Sequence, residues 1–238
     1  MSNNISNKGM RRTFYKKVLS KNNKEKRVEG EKPWFFSSKG QEQAVTAILL
    51  SGILIGIVGS VYLWGIPLIQ KNKDVSLLQS SEQFMKTLDS KIKTVANTGG
   101  RDQLKITASG IVKIDSSPNG WVIQLDADTQ GTIYATGAEI PLKNSTCTAS
   151  EGAWGSDDAG ILCVKSVKLD ENKYLTSYTL RYVPLKTQTI RVYSLVLTSD
   201  QVKSAGLDHS IIIESKGTSE TEENGKIITK TVINLDLI

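Results

Sequence analysis

Cys147 and Cys163 are the only two cysteines in this chain, and the loop they frame is rich in Gly, Ser and Asp. Pairing them would restrict the unfolded chain and contribute about 3 kcal/mol. Two free buried thiols are the other reading, and the pairing is favoured. Asn144-Ser145-Thr146, just ahead of Cys147, is an N-glycosylation acceptor pattern, which makes Asn144 a candidate modification site if this region faces outside. Asn4-Ile5-Ser6 has the same form but lies at the other end of the chain. Carboxylates in Gly155-Ser156-Asp157-Asp158 and Asp126-Ala127-Asp128 sit where calcium could be held. Turn-forming, solvated acids explain both clusters more simply, and the same holds for Glu220, Glu222 and Glu223 at an expected hairpin tip. His209 is the sole histidine and reads as a surface residue at a strand edge. One histidine and two pairing cysteines cannot build a usual zinc site. No phosphate loop, dinucleotide fingerprint or nucleophile elbow occurs. The chain therefore reads as a non-enzyme, with no catalytic residue, no metal and no cofactor.

The elements that would position these residues are dominated by one stretch. Residues 44–69 form 26 consecutive positions without a charge. As a helix this run would extend about 39 Å at 1.5 Å per residue, while a bilayer core needs about 20 residues. Gln70-Lys71-Asn72-Lys73 follows it, unlike the small-residue cleavage site behind a removable secretory signal. The run reads as a retained single-pass transmembrane helix.

Charge sets the expected orientation. Residues 1–40 hold 11 Lys/Arg against 3 Asp/Glu, whereas the rest of the chain holds 19 against 21. The basic excess belongs to the leader, so the folded part has no charge argument for nucleic acid. Basic flanks stay in the cytoplasm, which puts the N-terminus inside and the C-terminal part outside. Trp34, Phe35 and Phe36 would then lie at the inner interface, with Tyr62 and Trp64 toward the outer one. Residues 1–40 are polar, without apolar periodicity, and are expected to be disordered.

Beyond the membrane, Leu78, Met85, Leu88, Ile92 and Val95 recur at helical spacing, with Leu77 and Phe84 beside them. Asn97-Thr98-Gly99-Gly100 supplies a stop. A single helix over 41–97 results, with Pro67 expected to kink it. From Asp102 the pattern turns to period two, and strands are expected at 104–107, 110–115, 121–126, 132–135, 161–168, 174–182, 188–198, 210–215 and 226–237. The fold class is α+β: a long, partly transmembrane helix laid on a C-terminal antiparallel β-rich head over 98–238, sandwich-like or barrel-like.

A basic leader, Lys39-Gly40 at a junction, a polar Gln41-Glu42-Gln43 start, and a long apolar helix ahead of a β-rich region together resemble archaeal type IV pilin-like proteins with class III signal peptides. The likeness is specific over about residues 37–65. It implies a prepilin-type signal peptidase as partner, cutting between Gly40 and Gln41. It also implies a surface subunit, anchored or assembled with copies of itself or with other pilin-like subunits, and Glu42 paired with a neighbour's new amino terminus. Many members carry glutamate at the fifth mature position; here that position is Val45, and the acid is Glu42 at the second. Gly52, Gly56 and Ser60 repeat every four residues, a small-residue stripe on which helices in lipid can pack. Ordinary membrane-helix composition is the other account of that stripe. An uncleaved single-pass protein with a ligand- or envelope-binding ectodomain is the alternative for the whole chain.

Overall fold

The structure is a computed structural model that describes residues 38–117, 120–143 and 146–238. The leader through residue 37 and the acceptor Asn144 lie outside the described residues, as do the side chains of Lys39 and Gln41. The chain divides into two compact units, one ending at Leu54 and one beginning at Ile55.

One helix, α1 (Ser38–Thr98), accounts for the described part of the first unit and continues into the second. It starts three residues ahead of the expected position because the backbone of the Lys39-Gly40 junction is itself helical. Its end follows the expected stop: Gly99 N–H returns to the Val95 carbonyl at 2.9 Å, and Gly99 adopts a φ of 75° that suits glycine. Pro67 lies inside the helix, where it has no N–H to offer the Leu63 carbonyl.

The remainder of the second unit is β-rich. Its strands are β1 (Arg101–Lys105), β2 (Ile111–Ser117), β3 (Gly120–Thr129), β4 (Glu139–Pro141), β5 (Gly152–Ala153) and β6 (Gly160–Asp170). They continue with β7 (Lys173–Tyr182), β8 (Leu185–Lys186), β9 (Arg191–Thr198), β10 (Lys203–Ala205), β11 (Ser210–Glu223) and β12 (Lys226–Leu237). Two six-stranded sheets form, ordered β1-β11-β12-β9-β8-β5 and β10-β2-β3-β7-β6-β4. The expected coarse class is thus observed: a long apolar helix followed by a two-sheet β region.

Three details depart from the sequence reading. The first sheet is mixed, because β9 runs parallel to β12 and β5 runs parallel to β8. Local alternation marks a strand but not its neighbour's direction. Residues 132–135 form no strand. Thr132 Oγ1 instead accepts the Tyr134 N–H at 3.1 Å, and this turn sends the Tyr134 ring toward α1. The acidic segment around Glu220, expected as a loop, is the outer half of β11. Asn224-Gly225, with φ of 52° and 70°, gives the tight turn that keeps Glu223 paired with Lys226.

A single main core joins α1 to both sheets. Leu78, Met85, Leu88 and Ile92 are fully buried, as the spacing requires, and Phe84 and Val95 are nearly so. They meet Ile123, Leu125, Tyr178 and Leu180 from one sheet and Ile211, Ile213, Ile233 and Leu235 from the other. On β7 the alternation of Thr176, Tyr178 and Leu180 inward follows the period-two pattern of the sequence. Removing this much apolar surface from water, at about 25 cal/mol per Å², drives the docking of the helix's second half.

Candidate functional site

Along residues 45–69 every large apolar side chain of α1 is exposed, Trp64 to 81% and Leu63 to 83%. This helix is long and apolar enough to cross a membrane, with a mean hydropathy of 2.3 in its richest stretch and none of that stretch buried. Water would not tolerate so continuous an apolar surface on a monomer. Hydrocarbon would, since the helix satisfies its own backbone groups. Its hydroxyls are satisfied locally too: Thr46, Ser51 and Ser60 donate to the carbonyls of Glu42, Ala47 and Ile57 at 2.7–2.8 Å. Gly52 and Gly56 are open, and a Cβ on either would meet nothing within 4 Å.

The second half of the helix is locked by charge as well as by apolar packing. Asp89 is only 2% exposed and lies at the spacing of the apolar stripe, four residues after Met85 and three before Ile92. Its carboxylate accepts from Lys93 at 2.9 Å, from Tyr182 at 2.7 Å and from Lys143. Both lysines also reach Asp158, Lys143 at 3.0 Å. Two lysines thus face two carboxylates in a closed quartet. Burial would raise the Asp158 carboxyl, but Lys93, the Gly160 N–H and Lys143 outweigh it and hold it below the usual range. Burial would lower the Lys143 ammonium, but Asp89 chiefly holds it above its ordinary value. A second polar junction lies higher on the helix. Tyr134 donates to Glu82 at 2.8 Å and Tyr178 to the Leu78 carbonyl at 2.8 Å. Burial, with Glu82 adding to it, pushes the Tyr134 phenol up to about 12.

Cys147 and Cys163 form the disulfide, with Cα atoms 5.9 Å apart. It closes the loop that carries Trp154. Arg181 fastens the start of this loop by donating to the Cys147 and Ala149 carbonyls, both at 2.7 Å. Trp154 N–H donates to the Lys186 carbonyl at 2.9 Å, and Asp157 accepts the Ala153 N–H at 2.7 Å. The Trp154 indole, 54% exposed, stacks on Tyr193 with ring centroids 4.0 Å apart. Beside this pair a cleft of about 690 Å³ opens between the loop, the end of α1 and the strands β9 and β12.

The calcium candidates are otherwise engaged. Asp126 accepts from Lys113, Ser177 and Gln124, Asp158 belongs to the quartet, and Asp157 closes its own turn. Among the described residues no cluster of three or more His, Cys, Asp or Glu is placed to hold a metal. His209 is exposed and reaches the Leu207 carbonyl at 3.2 Å. The structure therefore does not bring these residues together.

Sequence reasoning missed Asp89 and Trp154, yet both left a signal. A carboxylate on an apolar helical stripe needs partners, and a tryptophan between Gly152 and Gly155 in a turn-rich loop has no core position to fill. No protein-family model, curated protein or solved structure matches the chain.

Proposed function

We propose that this protein is a cell-surface structural subunit of the type IV pilin-like kind. Its leader is removed after Gly40 by a prepilin-type signal peptidase, and its helix anchors it in the membrane and associates with copies or related subunits. The supporting observation is the division of labour along α1: apolar side chains exposed over residues 45–69, apolar side chains buried from Leu78 onward. Such a helix serves lipid or neighbouring helices with one half and its own β region with the other. The basic leader supports a cytoplasmic N-terminus and an extracellular β region, where a disulfide persists and Asn144 would be open to glycosylation. The role needs no catalysis and no nucleic acid.

Mass spectrometry of the protein purified from membranes tests the reading. A mature chain beginning at Gln41 supports it, and a chain retaining residues 1–40 overturns it. The uncleaved, ligand-binding alternative draws on the Trp154 cleft, and the same measurement separates the two.

A further inference from the structure

The cleft beside Trp154 has the chemistry of a sugar site. Its volume, about 690 Å³, lies within the range of small-ligand pockets. One wall is the exposed Trp154 ring, backed by Tyr193. The floor is the ladder in which Tyr193 pairs with Thr229 and Leu195 with Thr231. Thr229 Oγ1 donates to Glu220 at 3.1 Å and Thr231 Oγ1 shares a hydrogen bond with Thr218 at 3.2 Å, so each hydroxyl keeps a lone pair to accept from a ligand. Asn97 and Asp157 add an amide and a carboxylate at the rim.

A pyranose ring has an apolar face of C–H groups and a periphery of hydroxyls. An aromatic plane takes the first and short polar side chains take the second. Charge narrows the class further. Lys93, the cation lining the cleft, is already held by Asp89 and Asp158, while Asp157 leaves the rim acidic. An anionic ligand would find no counter-ion there. A cationic one would favour several rings set around it, whereas these two rings pack against each other, centroids 4.0 Å apart and planes tilted by 30°. The wall is also pre-formed: the disulfide, Arg181 and the Lys186 carbonyl fix the loop, so little ordering cost falls on binding.

We infer that this cleft binds a neutral glycan, with Trp154 as stacking platform and Thr229 and Thr231 as hydroxyl partners. The inference holds whether or not the leader is removed.

The test is calorimetric titration of the full chain, held in a detergent without a sugar headgroup. The probes are cellopentaose, chitopentaose and mannopentaose, with polygalacturonate and a tetralysine peptide as charged comparisons. Saturable binding of at least one neutral pentasaccharide is expected. Trp154→Ala should weaken it about tenfold. Thr229→Val, which keeps the strand shape, should weaken it about fivefold. Leu169→Ala, at an exposed position on β6, should leave it unchanged. The inference is overturned if no neutral pentasaccharide saturates, if only a charged probe binds, or if folded Trp154→Ala and Thr229→Val both bind like the parent.

Discussion

The phenol of Tyr182, at the end of β7, donates to Oδ1 of Asp89 in α1 at 2.7 Å, across 93 residues of chain. That bond, with Lys93 and Lys143 on the other carboxylate oxygen, ties the helix to the sheet where apolar packing alone would leave a buried charge unpaired. Tyr182→Phe should cost about 1.5–3 kcal/mol, the range for a hydrogen bond to a charged group. Asp89→Ala, which leaves two part-exposed lysines sharing Asp158 alone, should cost about 3 kcal/mol, the low end of the range for breaking a buried pair. Chemical denaturation of the full chain in micelles, followed by near-UV circular dichroism, checks both. Equal stability of parent and Asp89→Ala would remove the quartet from the account of how the helix is held.

Gly160 is a glycine because of the same carboxylate. A Cβ there would collide with Oδ1 of Asp89 and crowd Nζ of Lys93. Gly160→Ala should therefore destabilise by about 1–3 kcal/mol, the usual cost of overpacking. Gly137→Ala has open space around its Cβ but a φ of 86°. It measures backbone strain without collision, whereas Gly160→Ala measures collision: pairing Gly160→Ala with Asp89→Asn should leave that collision in place, and pairing it with Asp89→Ala should relieve it.

Stability should fall at both ends of the pH scale. Glu82, Asp126 and Asp158 are all held below their ordinary values despite burial. Their contribution is present above about pH 4.5 and is lost as pH falls through the lowered folded values. Tyr134 is raised from 10.0 to about 12, and Tyr178, Tyr182 and Lys143 are raised as well. The folded chain keeps those protons after the unfolded chain has released them. Stability is then lost as pH climbs from about 10 through about 12. Melting temperatures across the range should trace a plateau with two falling limbs, and Tyr134→Phe should make the alkaline limb shallower. An alkaline limb unchanged in Tyr134→Phe would refute its assignment to that phenol.

How much of this was readable from the residues alone follows from which signals are local. The apolar run and the steps from Leu78 to Val95 are periodicities of a single helix, so element and buried face were both legible. The strand pattern of β7 was legible for the same reason, and so was the loop closed by Cys147 and Cys163. The parallel pairing of β9 with β12 was not, since it depends on a partner about 36 residues away in register, Arg191 against Ile227. The outer half of β11 was hidden because Lys216 to Glu223 are polar and exposed on both faces, leaving backbone pairing to define the strand. Thr132 to Ala135 looked β-like by composition, but the inward turn of Tyr134 onto Glu82 prevailed. The charged quartet and the Trp154 cleft assemble groups from distant segments, and only the fold brings them together.

The small-residue stripe makes a separable claim. Gly52→Leu and Gly56→Leu place bulk where nothing in the isolated chain opposes it, so melting of the β region should match the parent. If helices associate through this face, cross-linked oligomers in membranes should drop several-fold. Full oligomer yield in the double variant would eliminate the stripe as a packing surface.

Protease added to intact cells tests the central claim, that α1 crosses the membrane with the β region outside. The account expects the segment from residue 98 onward to be cut without permeabilisation, and a tag on residues 1–40, where still attached, to be spared. If the β region is degraded only after the cells are permeabilised, the orientation is reversed and the surface-subunit reading fails.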